Sequence, residues 1–392
     1  MKLSTALLVL ARCSWTTEAF TPTSSTRTIL RNSNNQNHNH NRNRNELYMS
    51  DVSNLLYLEQ EKLIVRRGEF EETVMSKGAK PLKASKVKVR GTGSAGGFGK
   101  GGGAGGTSGK KQAFKAEGKT HAKVLKRDGV VGIDNVLSSD TADRMREYVY
   151  DRRRTSEEEV EAGIVQPLQR FADVLLKKDR CDLTIPLGDD VVSDALDEVL
   201  RNSGAGQTIA SILSDDAVLY ELSCLMSDPG SQRQVIHPDT PFIEGRGPVL
   251  YTCFIALQDV RLDMGPTTWL PKTHTAEAHE AFLDTDSSNG ESRKDALLTK
   301  GKAVLGTLSK GSCAIFDSRC LHCGTANKSM DSRALFYFSF KNPEVGYPGN
   351  PASIRPELGA AKVSFKALEE DLESRSKGTG QPLIDRIAAT MR

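Results

Sequence analysis

Apolar residues recur along the middle of the chain in short runs that alternate with polar positions and stop at Gly, Pro or Asp, the pattern of strands rather than helices. Seven such runs span 217–226, 234–242, 248–257, 267–270, 304–308, 312–316 and 334–340, and Gly129-Val-Val-Gly-Ile133 precedes them as an eighth. Helical spacing is confined to the flanks. Ala142, Met145 and Val149 follow the potential cap Ser139-Asp140, while Val191, Val192, Ala195, Leu196, Val199 and Leu200 follow Asp189-Asp190. Residues 277–302 interrupt the strands with a helix and a polar loop, 284–292, and further helices are expected over 364–376 and 382–392. Many short strands with helices beside them predict a mainly β chain, closed or double-sheeted, with its helices packed outside.

At 392 residues and 38% apolar content the chain can bury one substantial core and still carry tails. Charge divides it further. Residues 128–392 hold thirty basic against forty-one acidic side chains, whereas 76–127 hold fourteen basic against one acid. An acidic body thus follows a basic arm. Within that arm eleven of the nineteen positions from Gly91 to Gly109 are glycine, so a basic, glycine-rich linker is expected over 76–114, with order beginning near Lys115. Only Phe98 and Phe114 are available there for base stacking, which argues against nucleic acid as the partner. Gly91-Thr-Gly-Ser-Ala-Gly96 has dinucleotide-fingerprint spacing but no helix pattern behind it, and Gly109-Lys110 lacks the hydroxyl residue of a phosphate loop.

The start of the chain reads as targeting sequence. Residues 1–19 combine a basic start, a short apolar core and a small residue before Phe20, as signal peptides do, and are too short for a membrane span. Residues 20–45 contain no acid and are rich in Ser, Thr, Asn and Arg, as transit peptides are. Together they resemble the bipartite leaders of algae with complex plastids, so the chloroplast is the expected destination and the secretory pathway the alternative. His38 and His40 fall in low-complexity sequence without a third ligand type. Residues 46–75 are expected to form a short helical segment, and 346–392 a helical tail.

Chemistry concentrates in three places. His237 and Asp239, two apart in Gln234-Val-Ile-His-Pro-Asp-Thr-Pro, share one face of an extended segment, with Pro238 stiffening the backbone between them. His322, in Cys320-Leu-His-Cys-Gly, supplies a second imidazole. Two imidazoles and one carboxylate on one face of a metal leave the opposite face open, an arrangement suited to non-haem Fe(II) with a co-substrate and O2. Arg333, eleven residues on, begins an apolar run and can hold a dicarboxylate through a two-pronged contact. Cys320 and Cys323 form a C-x-x-C, but the cluster has too few ligands for zinc and no helix start for a dithiol switch. Seven cysteines without a framework argue against a disulfide scaffold. Trp269 and Phe254 suit either core or pocket.

Taken in order, Pro229-Gly-Ser, His237-x-Asp239, Ala256-Leu-Gln-Asp, Met264-Gly-Pro-Thr-Thr-Trp-Leu-Pro-Lys-Thr-His274, His322-x-Gly324-x-x-Asn327 and Arg333 resemble the phytanoyl-CoA dioxygenase family of Fe(II)/2-oxoglutarate oxygenases. The resemblance implies a double-stranded β-helix, the jelly-roll or cupin-like core, over 115–345, with flanking helices, while composition makes the N-terminal region before it disordered. It implies that His237, Asp239 and His322 are both metal ligands and catalytic, that Arg333 binds 2-oxoglutarate, and that O2 is the second co-substrate, with ascorbate a possible reductant. It implies hydroxylation of a small molecule with release of succinate and CO2. Related halogenases lack the carboxylate that Asp239 supplies. His274 belongs by resemblance to a structural turn. At Gly324 relatives can carry a serine that assists the co-substrate, so the second contact to 2-oxoglutarate is open. The rival reading is a non-catalytic jelly-roll module for binding or sensing. Oligomeric state and substrate identity are not set by the sequence.

Overall fold

Period-two alternation folds the strands into two sheets. In the computed structural model they are β1 (Lys80–Pro81), β2 (Val130–Ile133), β3 (Phe171–Ala172), β4 (Arg180–Thr184), β5 (Val218–Ser227), β6 (Leu250–Ala256), β7 (Thr267–Trp269), β8 (Val304–Leu305), β9 (Cys313–Asp317), β10 (His322–Gly324) and β11 (Arg333–Lys341). The large sheet has the order β2-β9-β6-β11-β5-β4-β3 and is antiparallel throughout. The small sheet has the order β1-β8-β7-β10. The residues described are 78–85, 106–172, 179–288, 290–345, 362–379 and 383. The leader, the 46–75 segment, positions 86–105 of the arm and the 382–392 helix, Leu383 apart, lie outside them.

Side chains on β11 show how the layers are built. Ala334, Phe336, Phe338 and Phe340 point outward into a core shared with the helices, while Leu335 and Tyr337 point inward, between the sheets, beside Phe254, Trp269 and Phe316. The helices covering the outer face are α1 (Gly106–Asp128), α2 (Ser139–Glu161), α3 (Asp190–Leu196), α4 (Gly204–Ala210) and α7 (Phe365–Ser376). Two more, α5 (Ala276–Leu283) and α6 (Arg293–Lys300), flank the loop expected over 284–292. Ser138, one residue earlier than expected, caps α2 by accepting from the Thr141 amide at 3.2 Å. Among the described residues no helix is long and apolar enough to cross a membrane.

The result is the jelly-roll core that the strand pattern and the family resemblance predicted. Two expectations need correction. Residues 234–242 are not a regular strand. They run extended beside β10, with one isolated bridge between His237 and His322. Pro238 and Pro241 carry no amide donor, so a continuous ladder cannot form there.

The linker expected over 76–114 is structured at both ends. β1 pairs in parallel with β8, and Leu82 donates its amide to Leu305 at 2.7 Å. From Gly106 the chain is helical. Just beyond that linker, at Gly118, glycine serves close approach: a Cβ there would lie 2.4 Å from the Gln207 backbone, so α1 and α4 meet main chain to main chain. Gly118→Val is therefore expected to wedge α1 from α4 and to lower stability by about 1–3 kcal/mol, the usual penalty of overpacking. Thermal unfolding would register this as a clear drop in Tm, whereas an unaltered Tm would refute the close contact of α1 with α4.

Candidate metal and anion site

The backbone brings three of the expected residues to one point. The His237 and His322 amides each donate to the other's carbonyl at 2.9 Å, and the Asp239 amide donates to the Ser318 carbonyl at 2.8 Å. Pairing the extended segment with β10 in this register places both imidazoles and the carboxylate on the inner side. Asp239 Oδ1 lies 3.6 Å from His237 Nε2 and 3.5 Å from His322 Nε2, and the ring centroids are 4.6 Å apart. One ligand atom from each residue falls within 4.8 Å of the others.

The outer ring nitrogens fix the chemistry of the inner ones. His237 Nδ1 lies 2.7 Å from the Val235 carbonyl and His322 Nδ1 3.0 Å from the Cys320 carbonyl. A carbonyl only accepts, so each Nδ1 carries the proton and each Nε2 presents a lone pair to the centre. Burial pulls His322 down to about 4 and keeps it neutral. Asp239 is a third exposed at its mouth side but otherwise enclosed by protein; desolvation pushes its carboxyl up to about 6, against the opposing pull of His237.

These shifts have opposite signs in the metal-free protein. Stability contributed by His322 is lost as pH falls from 6.5 towards 4, whereas Asp239 withdraws stability as pH rises from 3.8 towards 6. Since a metal takes the ionised carboxylate, Fe(II) affinity is expected to rise between pH 5 and 7 as Asp239, pushed up to about 6, ionises. Anaerobic Fe(II) titration at several pH values checks this. A flat profile over that range would remove the assignment.

Beside the triad lie two buried arginines. Arg333, at the start of β11, and Arg180, at the start of β4, both pair in register with Ser227 of β5. Arg333 is fully buried and donates Nη1 to the Gly265 carbonyl; its Nε and Nη2 have no partner among the described residues. Arg180 Nη2 donates to the Gln232 and Thr325 carbonyls at 3.0 and 3.1 Å, and its Nε and Nη1 are likewise unmatched. Burial pulls Arg333 down to about 9, with the like charge of Arg180 adding to it, and pulls Arg180 down to about 10. Two desolvated cations without a carboxylate are expensive, and an anion between them is the natural compensation. The hydroxyl of Thr267 and the indole Nε1 of Trp269, buried on β7, are also unmatched.

Arg180 was not legible in the sequence, where it sits in the polar stretch Lys177-Lys178-Asp179-Arg180. Gly324 is what admits it: a Cβ at 324 would lie 2.6 Å from Arg180 Nη1 and 2.7 Å from Gln234 Oε1. Other motif residues hold the arginines in place. Gln258 exchanges two hydrogen bonds with the Ala334 backbone, at 3.2 and 3.3 Å. Asn327, buried, donates to the Ser227 and Asp331 carbonyls at 2.8 and 2.9 Å and thereby closes the loop before Arg333.

The remaining candidates lie elsewhere. His274 points Nε2 at the Lys126 carbonyl, 3.2 Å away, in a turn. Cys320 and Cys323 belong to different clusters, Cys320 inside with Phe316 and Trp269, Cys323 with Ile236 and Leu321. Both are buried thiols, and burial pushes the Cys320 thiol up to about 12. Trp269 and Phe254 pack in the inner core, their rings 6.5 Å apart.

The sequence pattern of the phytanoyl-CoA dioxygenase (PhyH) family matches residues 125–335. Among solved structures the chain is similar to the non-heme alpha-ketoglutarate dependent epimerase SnoN from nogalamycin biosynthesis, at 18% identity over 61% of this chain and 85% of that one, with a TM-score of 0.41. It is also similar to AviO1 from Streptomyces viridochromogenes Tue57, at 15% identity over 58% and 96%, TM-score 0.42. A third is HygX from Streptomyces hygroscopicus with nickel and 2-oxoglutarate bound, at 12% identity over 57% and 87%, TM-score 0.39. No curated protein matches the chain.

Proposed function

Because the chain belongs to the phytanoyl-CoA dioxygenase family, we propose that it is an Fe(II)- and 2-oxoglutarate-dependent dioxygenase that hydroxylates a C–H bond of a small molecule. The observation that carries this reading is the pairing of a one-sided His-Asp-His cluster with two buried, carboxylate-free arginines inside the same barrel. His237, Asp239 and His322 would hold the iron. Arg333 and Arg180 would grip the distal carboxylate of 2-oxoglutarate from two sides, which fills the contact left open at Gly324, and Thr267 and Trp269 have donors to spare beside it.

The chemistry that iron supplies in such a site is oxidation of C–H by O2, one oxygen atom entering the substrate as hydroxyl and the other entering succinate as CO2 leaves. The protein's share is positional. Nδ1 contacts hold the imidazoles as ligands, the arginines orient the keto acid, and the aromatic inner core of Phe254, Trp269 and Phe316 keeps water from the barrel floor.

The test needs no substrate. Anaerobic addition of Fe(II) and 2-oxoglutarate to the protein without its leader should give the visible metal-to-ligand charge-transfer band of a chelated keto acid, absent from His237→Ala. A folded, iron-containing protein without the band would instead favour a binding or sensing module.

A further inference from the structure

The three members of the triad are not held equally. Each imidazole is fixed through its own ring, by the contact of Nδ1 with a carbonyl, whereas among the described residues nothing donates a hydrogen bond to the Asp239 carboxylate. Its aim is therefore set by its backbone. That backbone is poor in donors, because Pro238 before it and Pro241 after it carry no amide hydrogen. The amides of Asp239 and Thr240 share one acceptor, the Ser318 carbonyl, at 2.8 and 3.1 Å.

The next amide along, that of Phe242, goes to a side chain. His279, in the middle of α5, accepts it at Nδ1, 3.3 Å away, and places its Nε2 2.7 Å from the Arg319 carbonyl. An amide N–H only donates and a carbonyl only accepts, so both contacts hold in one form of the ring, neutral with its proton on Nε2. Burial, which pulls the His279 pKa below the usual histidine value, favours that form.

A neutral imidazole that accepts one hydrogen bond and donates another has the bonding capacity of a peptide unit. Phe242 lies three residues past Asp239, and Arg319 three residues before His322. The ring thus supplies a rung between the two segments that carry the triad, at the point where proline stops the main chain from supplying it. Arg319 is anchored in turn, its guanidinium paired with the buried Asp317 at 2.7 Å and lying 5.4 Å over the Phe242 ring.

On the premise that the triad is an iron centre, we propose that His279 is a positioning residue for it: the imidazole fixes the Asp239 segment against residues 317–322 and so strengthens metal binding without touching the metal. Anaerobic Fe(II) titration of the full chain, without 2-oxoglutarate and at a temperature where every variant is folded, tests this beside melting curves. In His279→Leu, which keeps apolar bulk next to the Phe242 ring 6.1 Å away, Fe(II) is expected to bind about tenfold more weakly, the lower end of what partners that orient metal ligands are worth. His279→Gln, whose amide again offers one acceptor and one donor, is expected to recover most of that affinity. Should His279→Leu fail to fold, His279→Asn takes its place, since its shorter amide reaches only one of the two partners and weaker binding is again expected. A residue that only fastened α5 to the barrel would give a His279→Leu protein that melts lower yet binds Fe(II) like the wild type, and that result would overturn the proposal. Equal weakening in His279→Gln and His279→Leu would overturn it as well. A wild-type protein that binds no Fe(II) would sink the metal site itself and is thus a distinct result.

Discussion

Succinate release is expected to disappear in both His237→Ala and Asp239→Ala, while the two proteins melt close to the parent. The loss should exceed about a hundredfold, since even partners that only orient metal ligands are worth ten- to a hundredfold. Both side chains are about a third exposed, His237 at 30% and Asp239 at 34%, so their truncation opens little cavity. Asp239→Ala also removes a carboxyl whose ionisation burial already opposes, and the metal-free variant should be no less stable above pH 6. Differential scanning calorimetry beside a succinate assay separates the two effects. Turnover retained in both variants would discard the triad.

Removing Arg180 should move binding and stability in opposite directions. Loss of one charged, hydrogen-bonded contact weakens 2-oxoglutarate binding by about 1.5–3 kcal/mol, roughly ten- to a hundredfold in Kd. Yet the ligand-free protein is relieved of one of two like charges buried against the same serine, which offsets the lost contacts to the Gln232 and Thr325 carbonyls, so Arg180→Leu should unfold at an equal or higher temperature than the wild type without co-substrate. Addition of 2-oxoglutarate should stabilise the wild type markedly and the variant little. Arg333→Ala should weaken binding as much, but it cuts a fully buried side chain back to Cβ, so a stability loss from the cavity is expected there. Isothermal titration and melting curves with and without 2-oxoglutarate give all four quantities. Unchanged affinity in Arg180→Leu would place the second anchor elsewhere.

How far the sequence disclosed this site depended on whether the relevant relation was local. His237 and Asp239 advertise themselves because a two-residue spacing already implies a shared face. Arg333 stands at the head of an alternating apolar run, where an inward charge is conspicuous. Arg180 had no such background. Its strand is short, its neighbours are charged, and only register with Ser227 reveals that it faces Arg333. The same limit explains α1. Glycine density around Gly91–Gly109 reads as slack, yet from Gly106 the chain is helical, and the docking of that helix, with Gly118 against Gln207, exists only in three dimensions. In 234–242 the alternation was real and the face was right, but the prolines prevent the ladder that alternation ordinarily signals.

The two ends of the basic arm have a practical consequence for anyone cutting the chain. Residues 78–85 contribute an edge strand, and Gly106–Asp128 a packed helix, so the stretch from 86 to 105 joins two anchored points. An expression clone begun at Lys115, where order seemed to start, would strip the small sheet of its β1 border and halve a helix. One begun before Ala79 would spare both.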